Sequence, residues 1–196
     1  AFEKGLKPDT IIIDEPMSYE TQDGLPYSPK NFDLQYRGSV SAAQALAQSL
    51  NVPAVKTLDF VGVASFIRQA RDFGITTFGE DAEHYGLSLA LGSGEVTLLE
   101  LANAYGVFAN RGNHCPVRFI KTAERADCAL VARSHSVAAI SAILSDNNLR
   151  MPEFGEENPL NFAFPVAAKT GTSRNFRDNW TMGYTDDYVV GVWVGN

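Results

Sequence analysis

Ala168-Lys169-Thr170-Gly171-Thr172-Ser173 lies between an apolar lead-in, Phe164-Pro165-Val166-Ala167, and a polar run, Ser173-Arg174-Asn175-Phe176-Arg177-Asp178. The lead-in predicts a buried strand that delivers Lys169 at its end, and the polar run predicts a turn. Two further runs, Trp180 to Tyr184 and Tyr188 to Val194, alternate β-branched and aromatic residues and are joined by Thr185-Asp186-Asp187. Three consecutive antiparallel strands are expected, with Lys169 on the first. The residue types suit an extended peptide that ends in a carboxylate. Lys169 offers a fixed positive charge, Thr170 and Thr172 offer hydroxyls, and Gly171 lets a substrate backbone approach without meeting a side chain. Alone, Lys-Thr-Gly is also an ordinary hairpin sequence.

Working outward, 196 residues with 45% hydrophobic content can bury one sizeable core, so one domain is expected. No apolar run reaches membrane-spanning length, and the amino terminus does not resemble a secretion signal. The chain opens at Ala1-Phe2-Glu3-Lys4-Gly5 without methionine, as a trimmed piece would. A net charge of −7 argues against a nucleic-acid partner. His84, His114 and His135 are scattered, no spacing resembles a metal site, and no cofactor is expected. Cys115 and Cys128 flank a hairpin expected to run out through Val117 to Lys121 and return through Ala129 to Ala132. In an oxidising compartment they could bridge it, and two free thiols are an equal alternative.

Taken in order, Ala1 to Gly5 reads as the end of a helix, Thr10 to Ile13 as a short apolar run, and Asp14 to Gly38 as a long extended segment of the kind that tends to be functional. Ser39 or Ser41 is expected to cap a helix with Ala43, Leu46, Ala47 and Leu50 on its apolar face, ending by Val52 because of Pro53. Ser49 and Asn51 would then project together at the helix exit. Further helices are expected from Pro53 to Phe60, around Phe66 to Phe73, from the Thr97-Leu98-Leu99-Glu100 capping box to Asn110, and after Ser134 or Ser136. Gly86 to Gly94 reads as irregular or a short strand, and Ser145 to Asn161 as a polar link. Helices followed by a terminal antiparallel sheet indicate an α+β class.

Ordered matches along nearly the whole chain show a resemblance. They are Tyr27-Ser28-Pro29-Lys30-Asn31, Arg37-Gly38, Ala45 through Val55 with Ser49-Leu50-Asn51, and Leu87 through Ser93. They continue with Leu101-Ala102-Asn103-Ala104-Tyr105, Phe108 through Gly112, Lys169 through Ser173, Arg177-Asp178-Asn179-Trp180, and Val190 through Asn196. The chain resembles the transpeptidase domain of class A penicillin-binding proteins. Phe154-Gly155 and Arg177-Asp178-Asn179-Trp180 point to the 1C type. The resemblance implies the penicillin-binding transpeptidase or serine β-lactamase-like fold, present here as a partial domain over residues 1–196 that lacks strands from before the nucleophile and after Asn196. Unpaired sheet edges are then a liability, and poor folding or association is expected of the isolated chain.

The family's site combines three motifs. Ser49 and Asn51 match the second and Lys169 to Thr172 the third, whereas the first, Ser-x-x-Lys, is absent from Ser18 to Ser173 and is expected about ten residues before Ala1, roughly one helix length. By the resemblance, Ser49 relays a proton, Asn51 bonds the substrate amide and Lys169 supports the relay electrostatically. Thr170, Gly171, Thr172 and Ser173 line the substrate strand, and the Thr172 N–H forms half of the oxyanion hole. The implied partners are peptidoglycan stem peptides and β-lactam antibiotics. The implied location is the periplasmic side of the inner membrane, with the membrane anchor and a glycosyltransferase domain outside this chain. Without its nucleophile the chain alone is expected not to acylate. Serine β-lactamase or D,D-carboxypeptidase, and a non-catalytic β-lactam or muropeptide sensor, are the alternatives. Glu157-Asn158-Pro159-Leu160-Asn161 fits the deacylation motif of class A β-lactamases but lies too near Lys169, and reads as loop.

Overall fold

The computed structural model describes residues 1–20, 26–79, 82–120, 127–173 and 177–195, with the backbone alone for Glu20 and Glu83. Lys121 of the expected hairpin, Arg174 to Phe176 of the expected turn and the final Asn196 lie outside the described residues.

The alternating carboxy-terminal runs form strands β7 (Ala167–Thr172), β8 (Asp178–Tyr184) and β9 (Val189–Gly195), antiparallel in the order β7-β8-β9. Lys169 is the third residue of β7 and not its end, because the ladder continues to Thr172 opposite Asn179. Directly opposed residues share a face of a sheet. One face therefore carries Ala167, Tyr184 and Val189, then Lys169, Met182 and Gly191, then Gly171, Trp180 and Trp193. Helices α5 (Leu98–Ala109) and α6 (Ser134–Ser145) cover the first of these rows. There Leu144, Ala167 and Tyr184 are buried among Leu46, Tyr105, Phe108, Ala109 and Ile140. The opposite face presents Thr170, Thr172 and Thr181, with Val190, Val192 and Val194 exposed.

The amino-terminal half supplies the wall facing β7. Strands β1 (Ile11–Asp14) and β4 (Gly38–Ser41) pair antiparallel, and within the segment read as extended β2 (Tyr19–Glu20) pairs with β3 (Pro26–Tyr27). Of the two candidate caps, Ser41 is the one used. Its Oγ accepts from the Gln44 N–H at 3.1 Å and its own N–H donates to Gln44 Oε1 at 2.9 Å, opening α1 (Ala42–Ala47). Helix α1 ends earlier than expected, and α2 (Asn51–Val61) begins before Pro53. A proline in the first turn forfeits no intrahelical bond, so Pro53 helps to start a helix. Helices α3 (Val63–Asp72) and α4 (Ala82–Tyr85) follow. Leu58, Ile67, Ala70, Phe78, Leu89 and Ala104 close a second core there.

Three expectations are corrected. Gly86–Leu91 is a 3-10 helix closed by Gly92 at φ 88°, not a strand or irregular run. The polar link contains α7 (Asn147–Phe154), started by Asp146, whose side chain accepts from the Asn148 N–H. A cap hides in that polar stretch, and helical spacing there is set by polar rather than apolar residues. The cysteine hairpin pairs Asn113 and His114 (β5) with Leu130 and Ala129 (β6), closer to α5 than the apolar run at Val117 suggested. This register sets Cys115 opposite Cys128, and the two form a disulfide across a Cα separation of 4.3 Å. Ser134 is the first residue of α6, with Arg133 in the cap position.

Candidate active site

Lys169 leaves β7 on the helix-covered face, beyond the Leu144–Tyr184 cluster, and meets the joint between α1 and α2. Its Nζ donates to Ser49 Oγ at 2.6 Å and to the Thr170 carbonyl at 2.7 Å. The first of these joins residues 120 positions apart. Ser49 is not at the exit of a continuous helix. It is the pivot between two helices, at φ 59°. A left-handed serine costs on the order of 1 kcal/mol and persists where its surroundings enforce it. Here the Ser49 and Leu50 N–H groups close α1 on Leu46 and Ala45, and Leu50 is 3% exposed among Val40 and Ala45.

Asn51 is held as firmly. Its Nδ2 donates to the Lys30 carbonyl at 2.7 Å, which orients the amide. The start of α2 lacks a capping side chain of its own, because the residue in the cap position is Leu50. Asn31 supplies the cap from a distant loop, its Oδ1 accepting from the Asn51 N–H at 2.9 Å and the Val52 N–H at 3.3 Å. Asn31 Nδ2 in turn donates to Asp14 Oδ2 at 2.7 Å and to the Gln35 carbonyl at 2.8 Å. Asp14 is fully buried and also accepts from the Arg37 N–H at 2.9 Å. Sequence reasoning missed Asp14 and gave Asn31 no role. A lone aspartate closing Ile11-Ile12-Ile13 was the available signal.

Ser49, Asn51 and Lys169 therefore come together. The other candidate residues divide. Gly171 shares the Lys169 face, while Thr170 and Thr172 point to the opposite one. Among the described residues no strand pairs with the outer edge of β7. Ser173 has its hydroxyl engaged, donating to Asp178 Oδ2 at 2.5 Å and accepting from the Asp178 N–H at 3.1 Å. Trp193 Nε1 also donates to Asp178, at Oδ1 over 3.0 Å. Gly92 lies against Ser173, since a side chain on it would meet Ser173 Cα at 3.7 Å. Glu157 is exposed, and Asn158 is occupied with Asn147 Oδ1 and the Gly155 carbonyl, which makes that stretch a structural loop.

Lys169 is pulled down from 10.5 to about 8, first because burial strips water from its ammonium and then because the Arg150 charge lies nearby. With the folded value below the unfolded one, the charged form is the one folding disfavours. The full cost holds below pH 8, and stability rises as pH climbs from about 8 toward 10.5. Urea unfolding of the wild type should strengthen between about pH 7 and about pH 10 by on the order of 1–3 kcal/mol relative to Lys169→Met. Parallel pH dependences of the two proteins would contradict this.

A lysine of lowered proton affinity bonded to a strained serine thus lies beside a fixed asparagine and a strand edge that no described strand pairs with. The penicillin binding protein transpeptidase domain model matches residues 1–195, and the chain belongs to that family. Penicillin-binding protein 1C of Escherichia coli (strain K12) is 33% identical over 196 residues, covering all of this chain and 24% of its own length. Penicillin-binding protein 1A of Aquifex aeolicus (strain VF5) is 34% identical over 205 residues, covering all of this chain and 27% of its own. The chain thus spans about a quarter of the length of these curated relatives. Penicillin-binding protein 1A from Haemophilus influenzae shares the fold at TM-score 0.78 and 22% identity, over 98% of this chain and 35% of that one. PonA1 from Mycobacterium tuberculosis in complex with penicillin V does so at 0.78 and 22%, over 99% and 56%.

Proposed function

We propose that this chain forms most of the site of a peptidoglycan D,D-transpeptidase, which cross-links stem peptides through an acyl-serine intermediate and is acylated by β-lactams. The observation that carries the reading is the Lys169–Ser49 hydrogen bond across the cleft, made by two of the family's three motifs. The nucleophilic serine and its Ser-x-x-Lys lysine are supplied from outside the 196 residues. That serine's Oγ attacks the carbonyl between the two terminal D-alanines. The C–N bond breaks, and the serine proton passes by way of Ser49, held by Lys169, to the departing D-alanine nitrogen. An amine of a neighbouring stem then attacks the acyl-serine and returns a proton to the serine oxygen. Asn51 holds the donor amide, the β7 edge from Lys169 to Ser173 holds the extended peptide and its carboxylate, and the Thr172 N–H faces the oxyanion.

The parent is a class A protein with a glycosyltransferase domain and a membrane anchor elsewhere in its length, working on the periplasmic face of the inner membrane. The chain alone should take no fluorescent penicillin. The protein extended upstream through Ser-x-x-Lys should gain one adduct per molecule and release it slowly. Labelling of the 196-residue chain, or none of the extended protein, would overturn the reading, and rapid turnover would reassign it to a hydrolase.

A further inference from the structure

Arg150 is a buried cation that the proposed chemistry leaves unused. It is 3% exposed on α7, and its guanidinium donates to three backbone carbonyls. Nη1 reaches Leu160 at 3.0 Å, and Nη2 reaches Leu144 and, over a longer 3.4 Å, Ala168. A buried guanidinium is ordinarily matched by a carboxylate. Among the described residues no ion pair includes Arg150. Its compensation is dipolar. Leu144 belongs to the last turn of α6, where free carbonyls concentrate the negative end of the helix. Keeping an unpaired charge at such a place calls for a reason beyond packing, since an apolar residue would fill the space at lower desolvation cost.

The next residue after Ala168 is Lys169. We propose that Arg150 is a positioning residue for Lys169, tying the end of α6, the Asn158–Leu160 turn and β7 to one guanidinium and setting a permanent positive charge behind the lysine. The proposal rests on the reading of Lys169 as a member of the proton relay. An arginine holds its charge at any working pH, so its field acts on the lysine alone and favours the neutral amine. This agrees with Arg150 being the charge that pulls Lys169 down once burial has acted. The other ionisable groups around the pair are otherwise engaged or distant in effect. Asp146, at the start of α7, favours the charged Arg150. Glu153 of α7 pairs with Arg37 at 2.6 Å. Glu156 and Glu157 are exposed, and Tyr184 of β8 is bonded to Ser141 at 2.9 Å.

The test is the titration of Lys169 itself, followed by NMR of isotope-labelled lysine. Arg150→Gln keeps amide donors for the carbonyls and removes the charge, and its Lys169 midpoint should rise by at least about half a unit. Arg150→Lys keeps a charge and should titrate within a few tenths of the wild type while melting lower, because one ammonium does not replace the fork. An unchanged midpoint in a folded Arg150→Gln protein overturns the proposal, since a purely structural arginine would shift only the melting temperature. A wild-type midpoint at the ordinary lysine value overturns it without any variant. Failure of the extended protein to form a penicillin adduct would sink the transpeptidase reading and leave this titration untouched, so the two failures are distinguishable.

Discussion

Replacing Lys169 with alanine, in the protein extended through its nucleophile, should slow penicillin acylation by roughly 10²–10⁴-fold, the range associated with loss of a positioned acid–base group. The expectation follows from the two bonds the ammonium makes. Lys169 Nζ holds Ser49 Oγ at 2.6 Å, so its removal frees the relay hydroxyl as well as deleting the charge. Stability should move little or upward, because a charge disfavoured by burial has been taken away. Activity and stability then part company, which a general disruption of the fold would not produce. Ser49→Ala should cost a similar factor, and the double variant hardly more than either single one, since both break the same unit. Single-turnover acylation rates measured beside melting temperatures decide it. A loss below about tenfold for Lys169→Ala would remove the lysine from the relay.

What the sequence made legible follows from the reach of each signal. Alternation of period two exposed the three terminal strands, and Thr97 with Glu100 marked the start of α5, because both are local patterns. The pairing of Ser49 with Lys169 was legible through motif resemblance alone, for nothing local links residues 120 apart. The helix exit at Ser49 was legible, but the next helix was expected to start at Pro53 and instead starts at Asn51 with Pro53 inside it. Its place in the first turn of α2 depends on a cap that arrives from Asn31, a residue no window around Pro53 contains. Arg150 was hidden for a similar reason. In a polar stretch an arginine looks solvated, and burial is conferred by α6 and β7 arriving from elsewhere. Local chemistry therefore predicted the elements and some caps, while the links that shape the cleft are long-range polar contacts that composition and periodicity do not encode.

Asn31→Ala is expected to be the most destabilising single change near the cleft, at about 3–4 kcal/mol. The amide makes four hydrogen bonds, and each loss has its own cost. Removing Oδ1 strips the cap from the first two N–H groups of α2, worth about 1–2 kcal/mol. Removing Nδ2 takes one of the two donors from Oδ2 of the fully buried Asp14, leaving the Arg37 N–H, and strips the Gln35 carbonyl of its Asn31 donor, and losing these bonds adds about 1–3 kcal/mol. At 196 residues this corresponds to a melting point lower by roughly 6–15 °C. The functional consequence is separate from the stability loss. With the cap gone, α2 can fray at Asn51, and the left-handed Ser49 loses part of what enforces it. Penicillin acylation of the extended protein should therefore fall even at temperatures where Asn31→Ala remains folded. Asn31→Asp sharpens the test, because it keeps an acceptor for α2 while setting a second carboxylate against Asp14, and it should be no more stable than the alanine variant near neutral pH. An Asn31→Ala protein melting within about 2 °C of the wild type would show that the Asp14–Asn31 link is incidental to the cleft.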